Sequence, residues 1–267
     1  MSKIAHYLES TCFQEWGYKG DDAPRTRPDM PLLDLRSIVT TTVILATIQR
    51  GLAAFVARQG KSTIAKSLLK VHASIYSCIC LCLVFTSLVP ESKWPTWIAG
   101  NLPDAGYIYH YSKFYEYTDV VLVTLLGYEM DWHWGFHHPT TPYLTYARCV
   151  ICPDGGSWRI FAAMNSFHHW LMYAAFAGYT FGRPYMGYTG LSQLTVGVII
   201  EVYRGYLKFA QGGGLQEIWP HGVAGTLLFI YWVFFVRMWV QHATKSSSEG
   251  KEAKGQEKEQ VGEQKEE

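Results

Sequence analysis

Residues 71–89 read VHASIYSCICLCLVFTSLV, and residues 221–241 read HGVAGTLLFIYWVFFVRMWVQ. Each stretch falls in the range of about 17 to 25 apolar residues that an α-helix needs to cross a bilayer. Five further segments keep a helical composition but carry polar residues, and Pro, Gly or Asp residues separate them. These segments cover residues 33–49, 114–128, 136–152, 158–179 and 190–210. The sequence therefore predicts an all-α integral membrane protein, built as a bundle of seven transmembrane helices.

Charged residues make up 17% of the 267 residues, and they cluster outside the apolar segments. The stretch from Lys245 to the end contains no aromatic residue and one large aliphatic residue, Val261. Such a segment cannot bury enough apolar surface to offset the entropy lost on ordering it. We therefore predict an N-terminal segment at 1–32, a seven-helix membrane domain at 33–243 and a disordered, charged tail at 244–267. No nucleic-acid partner is predicted.

The odd number of predicted spans puts the two termini on opposite sides of the membrane. The most basic loop lies between the first two spans and contains Arg50, Arg58, Lys61, Lys66 and Lys70. Because cytoplasmic loops carry an excess of Lys and Arg, this loop is predicted to be cytosolic, with a lumenal N-terminus and a cytosolic tail. Arg204 and Lys208, toward the opposite end of the sixth span, weigh against this orientation.

Ionisable residues recur inside the predicted spans, where each one costs several kcal/mol unless it has a partner or a function. In SKFYEYTDVV at 112–121, Lys113, Glu116 and Asp119 are spaced by three residues. On a helix this spacing confines them to an arc of about 120° on one face. An intrahelical ladder of ion pairs is one explanation of the pattern, and a functional site is the other.

Two pairs of adjacent histidines lie in HWGFHH at 133–138 and in NSFHHW at 165–170. Adjacent residues point about 100° apart on a helix, so one histidine of each pair can face a shared interior while the other meets a neighbouring helix. Asn165, His169 and Tyr173 follow one another at intervals of four residues and form a stripe on one face. This pattern predicts a polar cavity lined by histidines, where a neutral imidazole can serve as nucleophile or base.

Several of these segments resemble, in order, the motifs of the ELO-type fatty-acid elongases, which are very-long-chain 3-oxoacyl-CoA synthases. KFYEYTD at 113–119 is similar to the K-x-x-E-x-x-D segment of that family, and NSFHHWLMYAAF at 165–176 matches its N-x-x-x-H-x-x-M-Y motif. WGFHHPT at 134–140 resembles the H-x-x-H-H box, with Trp134 at the place of the first histidine and His133 one residue earlier. A fourth motif, T-x-x-Q-x-x-Q, is essentially lost near LSQLTVGV at 191–198. The resemblance covers roughly residues 33–243.

The resemblance implies a decarboxylative Claisen condensation, in which a long-chain acyl-CoA reacts with malonyl-CoA to give a 3-oxoacyl-CoA. His137 would be the nucleophile that forms an acyl-imidazole, and His138 and His169 would complete the catalytic set. The residues expected to bind and orient the substrates are Lys113, Glu116, Asp119, Asn165 and Tyr173. Neither a metal nor a cofactor is implied, and the acyl chain would occupy a tunnel between the helices.

The roles of His133 and His168 stay open at this stage. A shift of one residue rotates a helical side chain by about 100°. His133 therefore replaces the missing box histidine only if the backbone there is a loop or a bulge.

The resemblance also implies residence in the endoplasmic reticulum membrane. The expected partners are the bilayer, acyl-CoA and malonyl-CoA. The reductases and the dehydratase of the elongation cycle are further candidate partners, and a homodimer is an open alternative.

Two other classes of protein share some of these features. Taken alone, HWGFHH fits the histidine boxes of membrane diiron desaturases and hydroxylases. Such a site needs histidines from several boxes, whereas five of the ten histidines stand outside any box: His6, His72, His110, His221 and His242. A non-enzymatic seven-helix receptor or transporter would explain a polar central pocket, but it would not explain the ordered motifs.

Overall fold

The structure, a computed structural model, describes residues 31–89, 93, 105–152 and 157–263, with side chains as far as residue 241 apart from Ser157. Every regular element in these ranges is helical, and no strand occurs in them. The helices are α1 (Leu35–Gln59), α2 (Thr63–Leu88), α3 (Ala105–Tyr115), α4 (Tyr117–Leu125), α5 (Trp132–Thr145), α6 (Ser157–Ala177), α7 (Met186–Ala210) and α8 (Leu215–Glu263). A π-helix at Tyr146–Ile151 continues α5, and a 3-10 turn at Arg183–Tyr185 precedes α7.

Only Glu116 separates α3 from α4, so the described helices form seven consecutive segments and agree with the predicted number. Three of these segments are long and apolar enough to cross a membrane by length and composition: Leu35–Gln59, Thr63–Leu88 and Leu215–Gln241. The other four carry the polar residues that the sequence analysis singled out. Their passage through the bilayer remains a prediction.

The first two helices are longer than the predicted spans. The helix predicted at 33–49 continues to Gln59, and the one predicted at 71–89 begins at Thr63. Only residues 60–62 link them, and Gly60 adopts a φ of 86°, in the left-handed region that favours glycine. The prediction of a basic loop at 50–70 was therefore wrong in its secondary structure. Four of its five basic residues lie on helices, and only Lys61 lies in the turn.

The last helix also extends beyond its predicted end. The backbone of α8 is helical as far as Glu263, whereas composition predicted disorder after residue 243. The Glu, Lys, Gln and Ala residues of this segment are good helix formers, a local preference that a criterion based on apolar burial does not weigh. Residues 264–267, and nearly all of the N-terminal segment at 1–32, lie outside the described residues. The domain boundaries remain predictions.

Two apolar clusters hold the helices around the centre of the bundle. The first joins α2 to α6 through Ala73, Tyr76, Cys80 and Tyr173. The second joins α5, α7 and α8 through Leu144, Leu194, Ala224, Leu228, Tyr231 and Phe235. Most polar residues of the sequence motifs lie in the segment from α3 to α6. By contrast, the outer face of α1 leaves Val43, Ile44 and Phe55 exposed, as expected where the bilayer is the solvent.

A glycine allows α7 to approach α8 closely. A Cβ atom at Gly190 would lie 2.3 Å from Cζ of Phe235 and 3.1 Å from Cε1 of His168. These distances leave no room for a side chain, since van der Waals contact between carbons begins at about 3.5 Å. Gly190 therefore fixes the spacing of α6, α7 and α8 beside the histidines.

Candidate active site

Glu116 occupies the break between α3 and α4 and is completely buried. Its Oε1 atom lies 2.7 Å from Nζ of Lys113, which is also buried. The predicted i,i+3 ion pair between these residues is therefore present. Asp119 does not extend the ladder, because its side chain contacts other helices. The segment provides one ion pair and one separate carboxylate.

Asn165, on α6, connects the ion pair of α3 to α7. Its Oδ1 atom accepts hydrogen bonds from Nζ of Lys113 at 2.9 Å and from the hydroxyl of Tyr109 at 2.8 Å. Its Nδ2 atom donates to Oε1 of Gln193 on α7 at 2.9 Å. Because its carbonyl accepts from a cation and its amide donates to another side chain, the orientation of Asn165 is fixed. Gln193 lies in LSQLTVGV at 191–198, where the fourth motif is essentially lost.

The carboxylate of Asp119 joins α2 to α6. Its Oδ2 atom accepts a hydrogen bond from the hydroxyl of Tyr173, and its Oδ1 atom lies 2.6 Å from Nε2 of His72. The contact with His72 lacks the alignment of a hydrogen bond. All three side chains are buried.

Imidazoles from two helices converge on Glu116. Nδ1 of His138 lies 3.8 Å from its Oε2 atom, and Nδ1 of His169 lies 3.4 Å from its Oε1 atom. The ring of His137 lies 5.3 Å from that of His138 and 6.2 Å from that of His169, measured between centroids. No hydrogen bond from the described residues reaches either Nδ1 atom or Oε2 of Glu116. His138 and His169 are buried, whereas His137 is partly exposed.

His133 lies beside His137 on a regular helix. Asp131 caps the N-terminus of α5 by accepting a hydrogen bond from N of Trp134 at 2.7 Å, and the helix continues without interruption through the box. The loop or bulge that would bring His133 to the missing position is therefore absent. Its ring instead stacks on His137 at 5.4 Å, and Trp134 contacts the ring of His138 at 4.6 Å.

His168 points away from the carboxylates. Its Nδ1 atom lies 2.9 Å from Oγ1 of Thr189 on α7, and its ring packs near Phe235. The second histidine pair thus divides as expected, with His169 toward Glu116 and His168 toward a neighbouring helix.

Five residues around the site were not predicted from the sequence: His72, Tyr76, Tyr109, Gln193 and Tyr231. The ring of Tyr231 on α8 lies 4.9 Å from that of His137, and its hydroxyl forms a hydrogen bond with Thr140 at 2.7 Å. The sequence carried one usable signal, since His72 and Tyr76 are spaced i,i+4 inside an apolar span.

One group of side chains has the geometry to hold a divalent cation. Glu116, His137 and His138 each offer one ligand atom, and these atoms lie within 4.8 Å of one another. Two imidazoles and a carboxylate suit zinc and other transition metals. Within the described ranges of the chain this is the one such group.

A sequence model of the family described as ELO, or GNS1/SUR4, matches residues 33–251. The chain belongs to the ELO family. All the side chains of the site described above lie inside the matched region. Membership of the ELO family supports a role in fatty-acid elongation, which is part of lipid biosynthesis. A search of curated proteins found no match to the chain.

Proposed function

We propose that this ELO protein is the condensing enzyme of fatty-acid elongation, a very-long-chain 3-oxoacyl-CoA synthase. It would condense a long-chain acyl-CoA with malonyl-CoA to give 3-oxoacyl-CoA, carbon dioxide and CoA. The observation that carries this proposal is the convergence of His137, His138 and His169 on the buried pair of Lys113 and Glu116. Family membership supports a role in fatty-acid elongation, and this cluster offers imidazoles and an ammonium group suited to the condensation step.

In the first step, a nitrogen of His137 attacks the thioester carbonyl of acyl-CoA. The carbon–sulfur bond breaks, CoA leaves as the thiolate and takes up the imidazole proton, and an acyl-imidazole remains. This intermediate divides a difficult reaction into two easier ones. His137 suits the role because it is partly exposed, whereas His138 and His169 are buried against Glu116.

In the second step, malonyl-CoA loses carbon dioxide, and the electron pair of the broken carbon–carbon bond forms an enolate. The enolate carbon attacks the acyl carbonyl, the acyl–nitrogen bond breaks, and the imidazole regains a proton from solvent. Negative charge develops on oxygen in this step and needs fixed donors in a site with little water. Lys113, Asn165 and His169 lie together to provide such donors, and Glu116 and Asp119 hold the surrounding cations and imidazoles in place.

An open apolar groove offers a candidate place for the acyl chain. It has a volume of about 530 Å³ and lies between α2, α6 and α7, lined by Val84, Leu88, Ile160, Ala163, Met164, Phe167, Tyr188, Thr189 and Ser192. This volume falls in the range of about 300 to 1,000 Å³ typical of ligand pockets. Thr189 in its wall also contacts His168, which directly precedes His169.

We further propose residence in the endoplasmic reticulum membrane, with a lumenal N-terminus and a cytosolic C-terminus. The turn between α1 and α2 lies at the same end of the bundle as the start of the histidine helix. N of Ser62 donates to O of Leu125 at 3.0 Å, and Nζ of Lys61 lies 5.7 Å above the ring of Tyr128. The basic hairpin is thus close to the end at which α5 begins, which suits entry of a CoA substrate from the cytosol. The other enzymes of the elongation cycle remain candidate partners.

A metal-dependent oxidase of the desaturase or hydroxylase type is the second candidate. It is favoured by the proximity of Glu116, His137 and His138. One experiment distinguishes the two candidates. The purified protein in liposomes is incubated with labelled malonyl-CoA and a panel of acyl-CoAs, with and without a chelator, and the products are identified. We expect labelled 3-oxoacyl-CoA in both arms. Desaturated or hydroxylated products that require iron, oxygen and a reductant would refute the proposed function.

A further inference from the structure

Two side chains of α2 reach the carboxylates of the site from outside the four motifs at 113–119, 134–140, 165–176 and 191–198. His72 and Tyr76 lie one helical turn apart, and both are buried, with exposed fractions of 6% and 0%. Because positions i and i+4 share a helical face, one face of α2 presents an imidazole and a phenol to α3, α4 and α6. A buried polar stripe in an apolar helix is costly unless its members have partners.

Tyr76 binds Oε1 of Glu116, the oxygen that also lies 3.4 Å from Nδ1 of His169. Its hydroxyl donates to Oε1 of Glu116 at 2.7 Å, and O of Ser112 lies 3.1 Å away as a weaker alternative acceptor. Nζ of Lys113 binds the same Oε1 atom, also at 2.7 Å. Oε1 therefore has two strong donors, whereas Oε2 has no hydrogen bond in the described residues and lies 3.8 Å from Nδ1 of His138. The two donors fix the rotation of the carboxylate.

His72 performs a similar function for Asp119. Its ring stacks on that of Tyr115 at 4.9 Å, and the nearly parallel ring of Tyr76 lies 6.0 Å from it. This stacking holds Nε2 at 2.6 Å from Oδ1 of Asp119, while Tyr173 occupies Oδ2. The ring of Tyr173 in turn lies 5.8 Å from that of His169. Asp119 thus connects α2 to the helix that carries His169.

We infer that Tyr76 and His72 are positioning residues for the condensation, acting through Glu116 and Asp119. This inference rests on the proposed function. Loss of the Tyr76 hydroxyl would leave Lys113 as the one strong donor to Oε1 and would let the carboxylate rotate. The imidazoles that face Glu116 would then lose a fixed partner, and their approach to the thioester would become less well defined.

The test compares Tyr76→Phe with Tyr203→Phe in the purified full-length protein, in liposomes with acyl-CoA alone. Phenylalanine keeps the packing of Tyr76 against Tyr173, where the rings lie 4.6 Å apart, and removes only the hydroxyl. Tyr203 is a matched control, because its hydroxyl has no hydrogen-bond partner in the described part of the chain. The burst of CoA release reports both the number of active sites, from its amplitude, and the acylation rate.

We expect Tyr76→Phe to keep the wild-type burst amplitude and to lower the burst rate constant by about tenfold to 10²-fold, the scale of effect of a misplaced reacting group. The acyl-CoA concentration that gives a half-maximal burst rate should stay unchanged, and Tyr203→Phe should behave as wild type. A lower amplitude with a wild-type rate constant would mean a purely structural role and would overturn the inference. A wild-type burst in Tyr76→Phe would overturn it equally.

His72 provides a second test that does not depend on the folding of Tyr76→Phe. In His72→Gln, an amide nitrogen can take the place of Nε2, whereas His72→Leu removes the polar group. We expect the glutamine variant to retain most of the burst rate constant. The leucine variant should have a much lower burst rate constant but the wild-type burst amplitude. Equal rates in the two variants would contradict a positioning role. If the wild-type protein makes no 3-oxoacyl-CoA, the proposed function itself fails; wild-type activity with unaffected variants refutes this inference alone.

Discussion

Removal of the Lys113 charge should destabilise the bundle more than removal of the charge on both members of the pair. Lys113→Met deletes the donor 2.7 Å from Oε1 of Glu116 and 2.9 Å from Oδ1 of Asn165, and it leaves a carboxylate in a completely buried position. Breaking a buried ion pair from one side costs about 3–5 kcal/mol, because the remaining charge has no compensation. For a protein of this size, that cost corresponds to a fall of roughly 10 °C in the melting temperature.

The double variant with Lys113→Met and Glu116→Gln should recover much of this loss. A glutamine at position 116 keeps an acceptor for the hydroxyl of Tyr76 and carries no charge. Thermal unfolding in detergent, followed by intrinsic tryptophan fluorescence, compares Lys113→Met, Glu116→Gln and the double variant with the wild-type protein. Because the two side chains are in contact, their effects should be strongly non-additive. If the double variant is less stable than Lys113→Met by the full cost of Glu116→Gln, the account of the buried pair is refuted.

Three further outcomes follow from the geometry. His169→Ala should lower turnover by about 10² to 10³, the scale for loss of one donor to a developing oxyanion. His168→Ala should change turnover little, because that ring faces Thr189. Equal effects of the two variants in steady-state condensation assays would contradict this. Gly190→Ala should destabilise the protein by about 1–3 kcal/mol, because its Cβ would meet Phe235. Gly51→Ala should not destabilise it in this way, because the space around Gly51 is open. Equal melting temperatures of the two variants would exclude the close approach of α7 and α8. A tag placed after Glu267 should be removed by protease added to sealed microsomes, and full protection of the tag would contradict the cytosolic C-terminus.

Local spacing in the sequence was sufficient where both partners lie on one helix. The i,i+3 spacing of Lys113 and Glu116 predicted a pair that the structure contains, and the i,i+4 stripe of Asn165, His169 and Tyr173 predicted a polar face. The seven helical segments were also predictable, because their helical composition and the Pro, Gly and Asp residues between them mark them in the sequence. Their ends were less so, since α1 and α2 continue through residues that composition assigned to a loop.

Contacts between helices were not predictable from a single sequence. Tyr76 and Glu116 are 40 residues apart, and Asn165 and Gln193 are 28 apart, so neither pair leaves a local spacing signal. The contacts of Asp119 were not predictable either, because the helix breaks at Glu116. Asp119 therefore faces His72 and Tyr173 instead of continuing the ladder. The position of His133 depended on whether α5 is regular, which the capping contact of Asp131 helps to establish.

In the proposed reaction His137 carries the acyl group, and the mass of the acyl-enzyme tests this assignment directly. Incubation with acyl-CoA alone, followed by proteolysis and mass spectrometry, should show a peptide containing HWGFHH with one added acyl group, together with one equivalent of free CoA. His137→Ala should abolish the adduct, whereas His133→Ala should retain it, because His133 stacks on His137 without contacting Glu116 in the described structure. An adduct that persists in His137→Ala, or one that maps to another peptide, would contradict the account.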